Sequence, residues 1–215
     1  MIGVAEQARA KTRSTGGLAD KRRAVISGAL TIFARDGYTR ASIDTIAAQA
    51  GVSSRTIYNH FQDKAELFQS VIQESAAQVA DAQLAIIESY FRKVTDLEAD
   101  LVEFGQAWTT PMPDYADHSA LVRQINAEAG HIPARAIEAW QQVGPRRVLQ
   151  ALAERFGQLA ERGLLQVDDP ERAAHHFAVL ITVPSPSLQA TALSTADRSE
   201  LVVSGVRVFL NGYRS

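Results

Sequence analysis

The sequence predicts an all-α fold, and three observations lead to this prediction. Apolar residues recur at intervals of three and four over most of the chain, as they do on the buried face of an α-helix. Strand-type alternation is not convincing in any segment, and no internal repeat is present. Serine, aspartate or proline begins several of the periodic runs and glycine follows others, which is the usual placement of helix-starting and helix-ending residues.

The composition is that of a core-forming protein, since 46% of the residues are hydrophobic and 21% are charged. The chain has no cysteine, which excludes disulfides, thiol catalysis and thiolate metal sites. The N-terminal residues lack the apolar run of a signal peptide, and no segment approaches the roughly 18 apolar residues of a membrane span. We therefore expect a cytoplasmic protein with no membrane partner.

The net charge of −2 is distributed unevenly along the chain. Residues 1–64 contain ten Lys and Arg against five Asp and Glu, a net charge of +5, and residues 65–215 carry −7. A basic segment followed by an acidic one indicates that the N-terminal part meets a polyanion. Charge alone does not separate this interpretation from an ordinary solvated segment, so the pattern of residues has to decide.

The chain begins with a predicted arm and a first helix. Residues 1–19 combine a Gly16-Gly17 pair with scattered charge and no apolar period, which is typical of a flexible arm. The first helix is expected to begin after Asp20, a suitable N-cap, and to end at Gly37, a suitable C-cap glycine.

Two short helices and a tight turn follow the first helix. The second helix is expected to begin at Ser42, whose hydroxyl caps it, and to stop at Gly51. Ser53 begins a third helix of similar length almost at once. Two helices joined by a glycine turn form the helix-turn-helix plan, and helices this short need the first helix as support. Residues 20–66 are therefore predicted to be a three-helix helix-turn-helix domain.

The remainder, residues 67–215, is predicted to be a second, helical domain. A long periodic run extends from residue 65 to about residue 91, with a bend or break expected near residues 76–82. The later helices are predicted at 97–109, 119–129, 133–142, 145–162, 170–182 and about 195–210.

The third helix has two chemically different sides. On a helical wheel with Ile57 pointing to the core, Phe61 and Ser53 lie within about 40° of it. Arg55 and Asn59 lie about 160° from Ile57 and form the outer ridge of this helix. Arginine can donate twice to guanine and asparagine can pair with adenine, so the outer ridge suits the reading of base edges. Hydroxyls, a histidine and a lysine at a helix start nearby suit phosphate contacts.

Each of these polar residues, taken alone, is more often an ordinary solvent-facing side chain. Their combination with the helix-turn-helix spacing and the basic N-terminal part favours binding to double-stranded DNA. The predicted DNA-binding residues are Ser42, Ser53, Ser54, Arg55, Thr56, Tyr58, Asn59, His60 and Lys64.

The run IFARDGYTRASIDTIAAQAGVSSRTIYNHFQDKAELF closely resembles the DNA-binding domain of the TetR/AcrR family of bacterial transcriptional regulators. The resemblance covers residues 26–71, about a fifth of the chain, and the remainder matches only in its helical pattern. It is carried by Phe33, Gly37-Tyr38, Ile46-Ala47, Ala50 to Ser53, Thr56 to Tyr58, His60-Phe61, Lys64 and Leu67.

The resemblance implies roles for individual residues. Residues Ser42, Tyr58, His60 and Lys64 would contact operator phosphates, and Ser54, Arg55 and Asn59 would approach the major groove. One residue departs from the family pattern, because Arg55 stands where many members have glycine. Arg55 must therefore reach a base, which is the preferred interpretation, or pair with a phosphate.

The resemblance also implies a homodimer formed by the last two helices. The final helix carries a broad apolar stripe, and Gly205 would allow close approach of a second helix. The alternative is that these helices bury the same residues within one subunit. The predicted dimer-interface residues are Phe177, Ile181, Leu201, Val202, Gly205, Val206 and Phe209.

Bulky residues in the middle of the chain predict a small-molecule site. A packed core is the alternative for each of them. By the resemblance, a ligand bound there would shift the helix that begins at Lys64 and release the operator. The predicted ligand-binding residues are Phe104, Trp108, Met112, Tyr115, His118 and Trp140.

No cofactor or metal is predicted. The adjacent His175 and His176 point about 100° apart on a helix and cannot readily chelate one ion. A nucleophile elbow, a glycine-rich phosphate loop and a His-Glu zinc motif are missing from the sequence, so an enzyme is not predicted.

The sequence thus favours a repressor that binds a palindromic operator as a dimer and is released by a small molecule. One alternative is a helical ligand-binding protein or enzyme with an incidental basic surface. The other is a DNA-binding regulator, repressor or activator, without a small-molecule ligand.

Overall fold

The computed structural model describes residues 3–182 and 194–213, with side chains from residue 18 onward. This part of the chain is helical and contains no strand, which confirms the predicted all-α class. The described helices are α1 (Gly3–Arg40), α2 (Ile43–Ala50), α3 (Ser54–Tyr58), α4 (Lys64–Phe91), α5 (Leu97–Thr109), α6 (Ala116–Glu128), α7 (Ala134–Val143), α8 (Pro145–Glu161), α9 (Pro170–Ile181) and α10 (Thr195–Tyr213). A short 3₁₀ turn, Pro113–Tyr115, precedes α6 and was not predicted.

The chain forms two compact units. The first unit consists of Met1–Ala77 and Asp114–Val143, and the second unit consists of Gln78–Pro113 and Gly144–Ser215. This division differs from the predicted boundary at residue 66, because α6 and α7 belong with the helix-turn-helix. Helix α6 packs on α1, and one contact between them is the hydrogen bond from the Thr39 N–H to the Glu128 carboxylate, 89 positions apart in the chain. Contacts between such distant residues leave no local pattern in a sequence.

Helix α1 begins at Gly3, so the segment predicted to be a flexible arm is helical from that residue. Its sequence between residues 4 and 13 is rich in Ala, Glu, Gln, Lys and Arg, which favour a helix without any apolar period. At the other end, Gly37 has φ 78° and ψ 174°, so the regular helix breaks there before a last turn that reaches Arg40. The regular helix therefore stops at Gly37, where its end was predicted, and one further turn follows it.

Helix α4 is continuous from Lys64 to Phe91, and the break expected near residues 76–82 does not occur. The later helices begin and end within a few residues of the predicted positions. Aspartate caps two of them: the Asp96 carboxylate accepts from the Ala99 N–H at 3.1 Å, and Asp169 accepts from the Arg172 N–H at 3.0 Å.

The core of the first unit joins α1, α4 and α6. The rings of Phe33 and Phe68 meet edge to face with their centroids 4.9 Å apart, and Tyr38 lies at the same distance from Phe68. Leu121 and Ile125 of α6 are buried in the same cluster. The helix-turn-helix is therefore packed against a helix from the middle of the chain.

The core of the second unit is dominated by phenylalanine. Four rings that are at most 1% exposed pack in a chain of edge and stacked contacts, with centroid separations between 5.1 and 5.8 Å. They belong to Phe104, Phe156, Phe177 and Phe209. Helices α5, α8, α9 and α10 each contribute one ring.

Candidate nucleic-acid interface

Helix α2 begins at the predicted N-cap and ends at the predicted glycine. The Ser42 Oγ accepts from the Thr45 N–H at 3.1 Å, and the Thr45 hydroxyl accepts from the Ser42 N–H at 3.2 Å. This reciprocal pair is a capping box. Gly51 has φ 65°, a left-handed conformation that glycine adopts without strain, and it turns the chain toward α3.

Helix α3 is shorter than predicted but starts at the predicted place. The Ser53 hydroxyl caps it by accepting from the Thr56 N–H at 3.2 Å, and the Ser53 and Thr56 hydroxyls lie 3.0 Å apart. The chain continues beyond Tyr58 as a turn, in which the Asn59 N–H donates to the Arg55 carbonyl at 3.0 Å. Arg55 and Asn59 therefore keep the i, i+4 relationship of a helix.

Two buried side chains fix α3 to the first unit. Ile57 is 1% exposed and Phe61 is 4% exposed. The Arg22 guanidinium lies 5.6 Å from the centre of the Phe61 ring and pairs with Glu74 at 2.5 Å. This packing anchors the inner side of α3 against α1 and α4.

The outer ridge of α3 faces solvent, as the wheel predicts. Arg55 and Asn59 are both exposed, and Tyr58 beside them is 56% exposed. A guanidinium and a carboxamide therefore stand together on a short helix whose opposite side is held in the core.

Ser54 has a partner that the sequence did not suggest. Its hydroxyl donates to the Asp44 carboxylate at 2.7 Å, which ties the first turn of α3 to the first turn of α2. The predicted groove contact of Ser54 stays a prediction, and Asp44 is the residue that orients this hydroxyl.

Lys64 holds the end of α1. Its ammonium donates to the carbonyls of Tyr38 at 3.0 Å, Ala41 at 3.1 Å and Thr39 at 3.4 Å, and lies 4.7 Å from the centre of the Tyr38 ring. All three N–H donors have acceptors within the chain. A phosphate contact by Lys64 stays a prediction, and in this structure the side chain organises the segment that precedes Ser42.

Helix α6 contacts the same segment from another direction. The Glu128 carboxylate accepts from the Thr39 N–H at 2.9 Å and from the Thr39 hydroxyl at 3.1 Å. We call residues 37–41 the α1–α2 corner. The Lys64 ammonium donates to backbone carbonyls of the corner, and the Glu128 carboxylate accepts from a backbone N–H of the corner. Both kinds of backbone group in the corner therefore have partners.

His60 lies at the end of α3 and is half-buried. Its Nε2 is buried and has no hydrogen-bond partner among the described residues. The ring also lies 6.3 Å from that of Phe61. The phosphate contact predicted for His60 is untested by this geometry.

The predicted ligand-binding residues do not gather in one unit. Three belong to the second unit, where Phe104 is fully buried in the phenylalanine core and Trp108 packs against it. The other three belong to the first unit. These two sets are Phe104, Trp108 and Met112 in the second unit, and Tyr115, His118 and Trp140 in the first.

His118 and Trp140 have distinct environments within the first unit. The His118 Nδ1 lies 2.8 Å from the hydroxyl of Ser75, and burial lowers the pKa of the imidazole. The Trp140 Nε1 is buried without a hydrogen-bond partner in the described part of the chain.

Six of the seven residues predicted for the dimer interface are buried within the second unit. Phe177, Ile181, Val202, Val206 and Phe209 are at most 1% exposed. Gly205 is buried too. The backbone of α9 lies so close to it that an added Cβ would stand 2.8 Å from the Leu180 carbonyl carbon. Leu201 alone of the predicted set is partly exposed. The apolar stripe of α10 packs on α9 and α5 within the second unit.

The exposed apolar residues of these helices are different ones. Val179 of α9 is 75% exposed and Val208 of α10 is 56% exposed. Neither stood out in the sequence, because the pattern does not reveal which of two apolar sides a neighbouring helix covers.

No group of three or more His, Asp or Glu is placed to hold a metal ion among the residues that the structure describes. In the same residues, no helix is long and apolar enough to cross a membrane.

The fold and the geometry of α2 and α3 define the class of helix-turn-helix DNA-binding proteins. Two family models match the chain: bacterial regulatory proteins of the tetR family over residues 25–71, and the C-terminal domain of AefR-like transcriptional repressors over residues 99–215. The chain belongs to the TetR family of transcriptional regulators. It is a DNA-binding transcriptional repressor and not an enzyme.

Individual proteins of known family are similar to this chain in sequence or in structure. The HTH-type transcriptional repressor AcnR of Corynebacterium efficiens is 26% identical over 184 residues, which are 85% of this chain and 89% of that protein. A TetR-family regulator from Mesorhizobium loti has a similar structure with a TM-score of 0.79 and 29% identity, covering 92% of this chain and 98% of that one. The flavonoid-responsive regulator FrrA matches with a TM-score of 0.61 and 26% identity, covering 90% and 97% of the two chains.

Proposed function

We propose that this TetR-family repressor binds a palindromic operator as a homodimer and that a small-molecule effector releases it. The observation that carries the proposal is the outer ridge of α3, where exposed Arg55 and Asn59 stand opposite the buried Ile57 and Phe61. A repressor acts where the chromosome is, so we place the protein in the cytoplasm.

Arg55 and Asn59 are the proposed base-reading residues. Their i, i+4 spacing brings Arg55 of α3 and Asn59, the C-cap of α3, side by side, and an α-helix fits the major groove. Ser42, Ser53, Thr56, Tyr58 and His60 lie at the ends or flanks of the same two helices. Their polar groups suit phosphate contacts that fix the register of α3 in the groove.

We place the dimer surface on the outer sides of α9 and α10. Val179 and Val208 are large apolar side chains that the single chain leaves exposed, and α9 and α10 pack on each other through Gly205. A second copy would remove both valines from water. Dimers of helix-turn-helix proteins bind half-sites about 34 Å apart or at multiples of that distance, which makes their operators palindromic.

The proposed signal that releases the operator is a small molecule. FrrA, one of the similar solved structures, is a flavonoid-responsive regulator. A ligand releases DNA only if it binds the DNA-incompetent state more tightly than the competent one. The alternative is a repressor without an effector, in which Phe104 serves only the packed core where it is fully buried.

The experiment that tests the proposal is the selection of bound duplexes from a random pool by the purified full-length chain. We expect an enriched palindrome, with affinity that falls steeply as salt rises because phosphate contacts release counterions. Enrichment of a single half-site would contradict the dimer. No enriched sequence at all would contradict operator recognition by α3.

A further inference from the structure

A cleft in the second unit lies where the end of α5 meets the start of α10. Its volume is about 340 Å³, near the lower limit for small-molecule sites. The polar residues that line it are Gln106, Thr109, Thr110, Thr195, Arg198 and Ser199. None of them was among the residues predicted to bind a ligand.

Arg198 provides positive charge in this cleft. Its side chain is half-buried, and no described carboxylate forms an ion pair with it. The neighbouring Asp197 does not line the cleft. Its carboxylate is engaged by Ser194, accepting from the N–H at 3.1 Å and from the hydroxyl at 2.7 Å. The guanidinium is therefore available to an anion that enters from solvent.

The hydroxyls of the cleft are committed to different roles. The Gln106 Nε2 donates to the Ser199 Oγ at 2.9 Å, so the Ser199 O–H can donate to another group. The Thr109 hydroxyl donates to the Gly105 carbonyl at 2.9 Å, and the Thr110 hydroxyl donates to the Gln106 carbonyl at 2.7 Å. Both threonine oxygens therefore remain as acceptors only.

We infer that this cleft binds a small hydroxycarboxylate. A guanidinium matches a carboxylate through two parallel N–H···O bonds, and the Ser199 hydroxyl adds a donor. Arg198 is the one cation among the described residues that line the cleft, and the others are neutral, so the cleft suits a ligand with a single negative charge. A ligand hydroxyl donates to the oxygen of Thr109 or Thr110, and the Pro111 ring gives an apolar wall. The inference rests on the proposed function in one respect only, namely that the bound ligand is the effector that releases the operator.

The probe is 4-hydroxybenzoate, compared with two matched compounds by isothermal titration of the full-length protein. The first compound, 4-hydroxybenzamide, keeps the shape and removes the charge, and benzoate removes the hydroxyl. We expect 4-hydroxybenzoate to bind, the amide to bind at least about tenfold more weakly, and benzoate to bind about two- to tenfold more weakly.

Variants locate the binding in the cleft. Arg198→Gln should weaken 4-hydroxybenzoate at least about tenfold, whereas Arg92→Gln, at an exposed arginine of the same unit outside the cleft, should leave it unchanged. Thr109→Val and Thr110→Val, made together, should weaken 4-hydroxybenzoate but not benzoate. Melting curves and operator binding without ligand check that each variant is folded.

Three outcomes would overturn the inference: no binding of 4-hydroxybenzoate at millimolar concentration, equal binding of the amide, or full binding by the Arg198→Gln variant. Operator affinity is measured separately, with and without the probe. Binding in the cleft without any change in operator affinity supports the site and contradicts release by this ligand. Absence of operator binding in ligand-free protein contradicts the proposed function and leaves the titrations valid.

Discussion

The Glu128 carboxylate accepts two hydrogen bonds from Thr39, one from the backbone N–H at 2.9 Å and one from the hydroxyl at 3.1 Å. Thr39 lies in the α1–α2 corner, three residues before the N-cap Ser42. A helix from the middle of the chain thereby fixes the segment that leads into the helix-turn-helix. Mutations at the corner should therefore act on stability and on DNA binding together.

Gly37→Ala should destabilise the protein by about 1–3 kcal/mol. Gly37 has φ 78°, which costs an alanine strain, and an added Cβ would stand 2.9 Å from the Glu128 Cδ. Chemical denaturation measures the loss. Gly130→Ala is the matched control, since nothing lies within 4 Å of a Cβ there and its φ is not positive. An equal effect of the two substitutions would contradict this account.

Lys64→Met should lower the melting temperature of the DNA-free protein. The substitution removes three hydrogen bonds to corner carbonyls and a cation–π contact with Tyr38, a loss of about 1–3 kcal/mol. Lys21→Met, at an exposed lysine of α1, should have little effect. If Lys64→Met weakened only operator binding, the lysine would serve phosphate contact and not the corner.

Arg55→Ala should relax discrimination at one base pair in each half-site and cost about 1–3 kcal/mol on the selected operator. Binding assays with every base at each position of the operator measure this. Arg123→Ala removes an exposed arginine from α6 of the same unit and should leave discrimination intact. An equal loss on operator and random DNA would show that Arg55 holds a phosphate.

Val208→Asp should yield folded monomers with weak operator binding, because it places a charge on the proposed dimer surface. Sedimentation and circular dichroism measure assembly and folding. Gln150→Asp, at an exposed position of α8 in the same unit, is the charge-matched control. Phe209→Asp should behave differently and unfold the second unit, since Phe209 is 1% exposed. A dimeric Val208→Asp variant would exclude this surface.

The stability of the first unit should fall as the pH drops below about 6.5. Burial lowers the pKa of His118 in the folded chain below its ordinary value of 6.5. The unfolded chain therefore binds more protons between the two pKa values, and protonation favours unfolding. Urea denaturation at several pH values measures the effect.

His118→Asn should make the free energy of unfolding less dependent on pH in this range. His131→Asn changes an exposed histidine of the same unit and should leave the dependence as it is. An unchanged pH profile in the His118→Asn variant would mean that other groups cause the dependence.

Much of the helix-turn-helix could be predicted because local chemistry determines it. The capping serines Ser42 and Ser53, and the turn glycine Gly51, each act on neighbouring residues of the chain. The period of α3 likewise assigns Ile57 to the core and Arg55 to solvent. The ligand and dimer predictions depended instead on which helices meet, and an apolar period does not specify that.

The sequence by itself determined the all-α class, the capped starts of α2 and α3 and the two sides of α3, because caps and apolar periods act within a few residues. Only the tertiary structure decided that α6 joins the first unit, that Lys64 and Glu128 hold the α1–α2 corner, and that Phe209 faces the core and Val208 faces solvent. These features depend on contacts between residues far apart in the chain. A side chain that is apolar in the sequence does not reveal which distant helix will bury it.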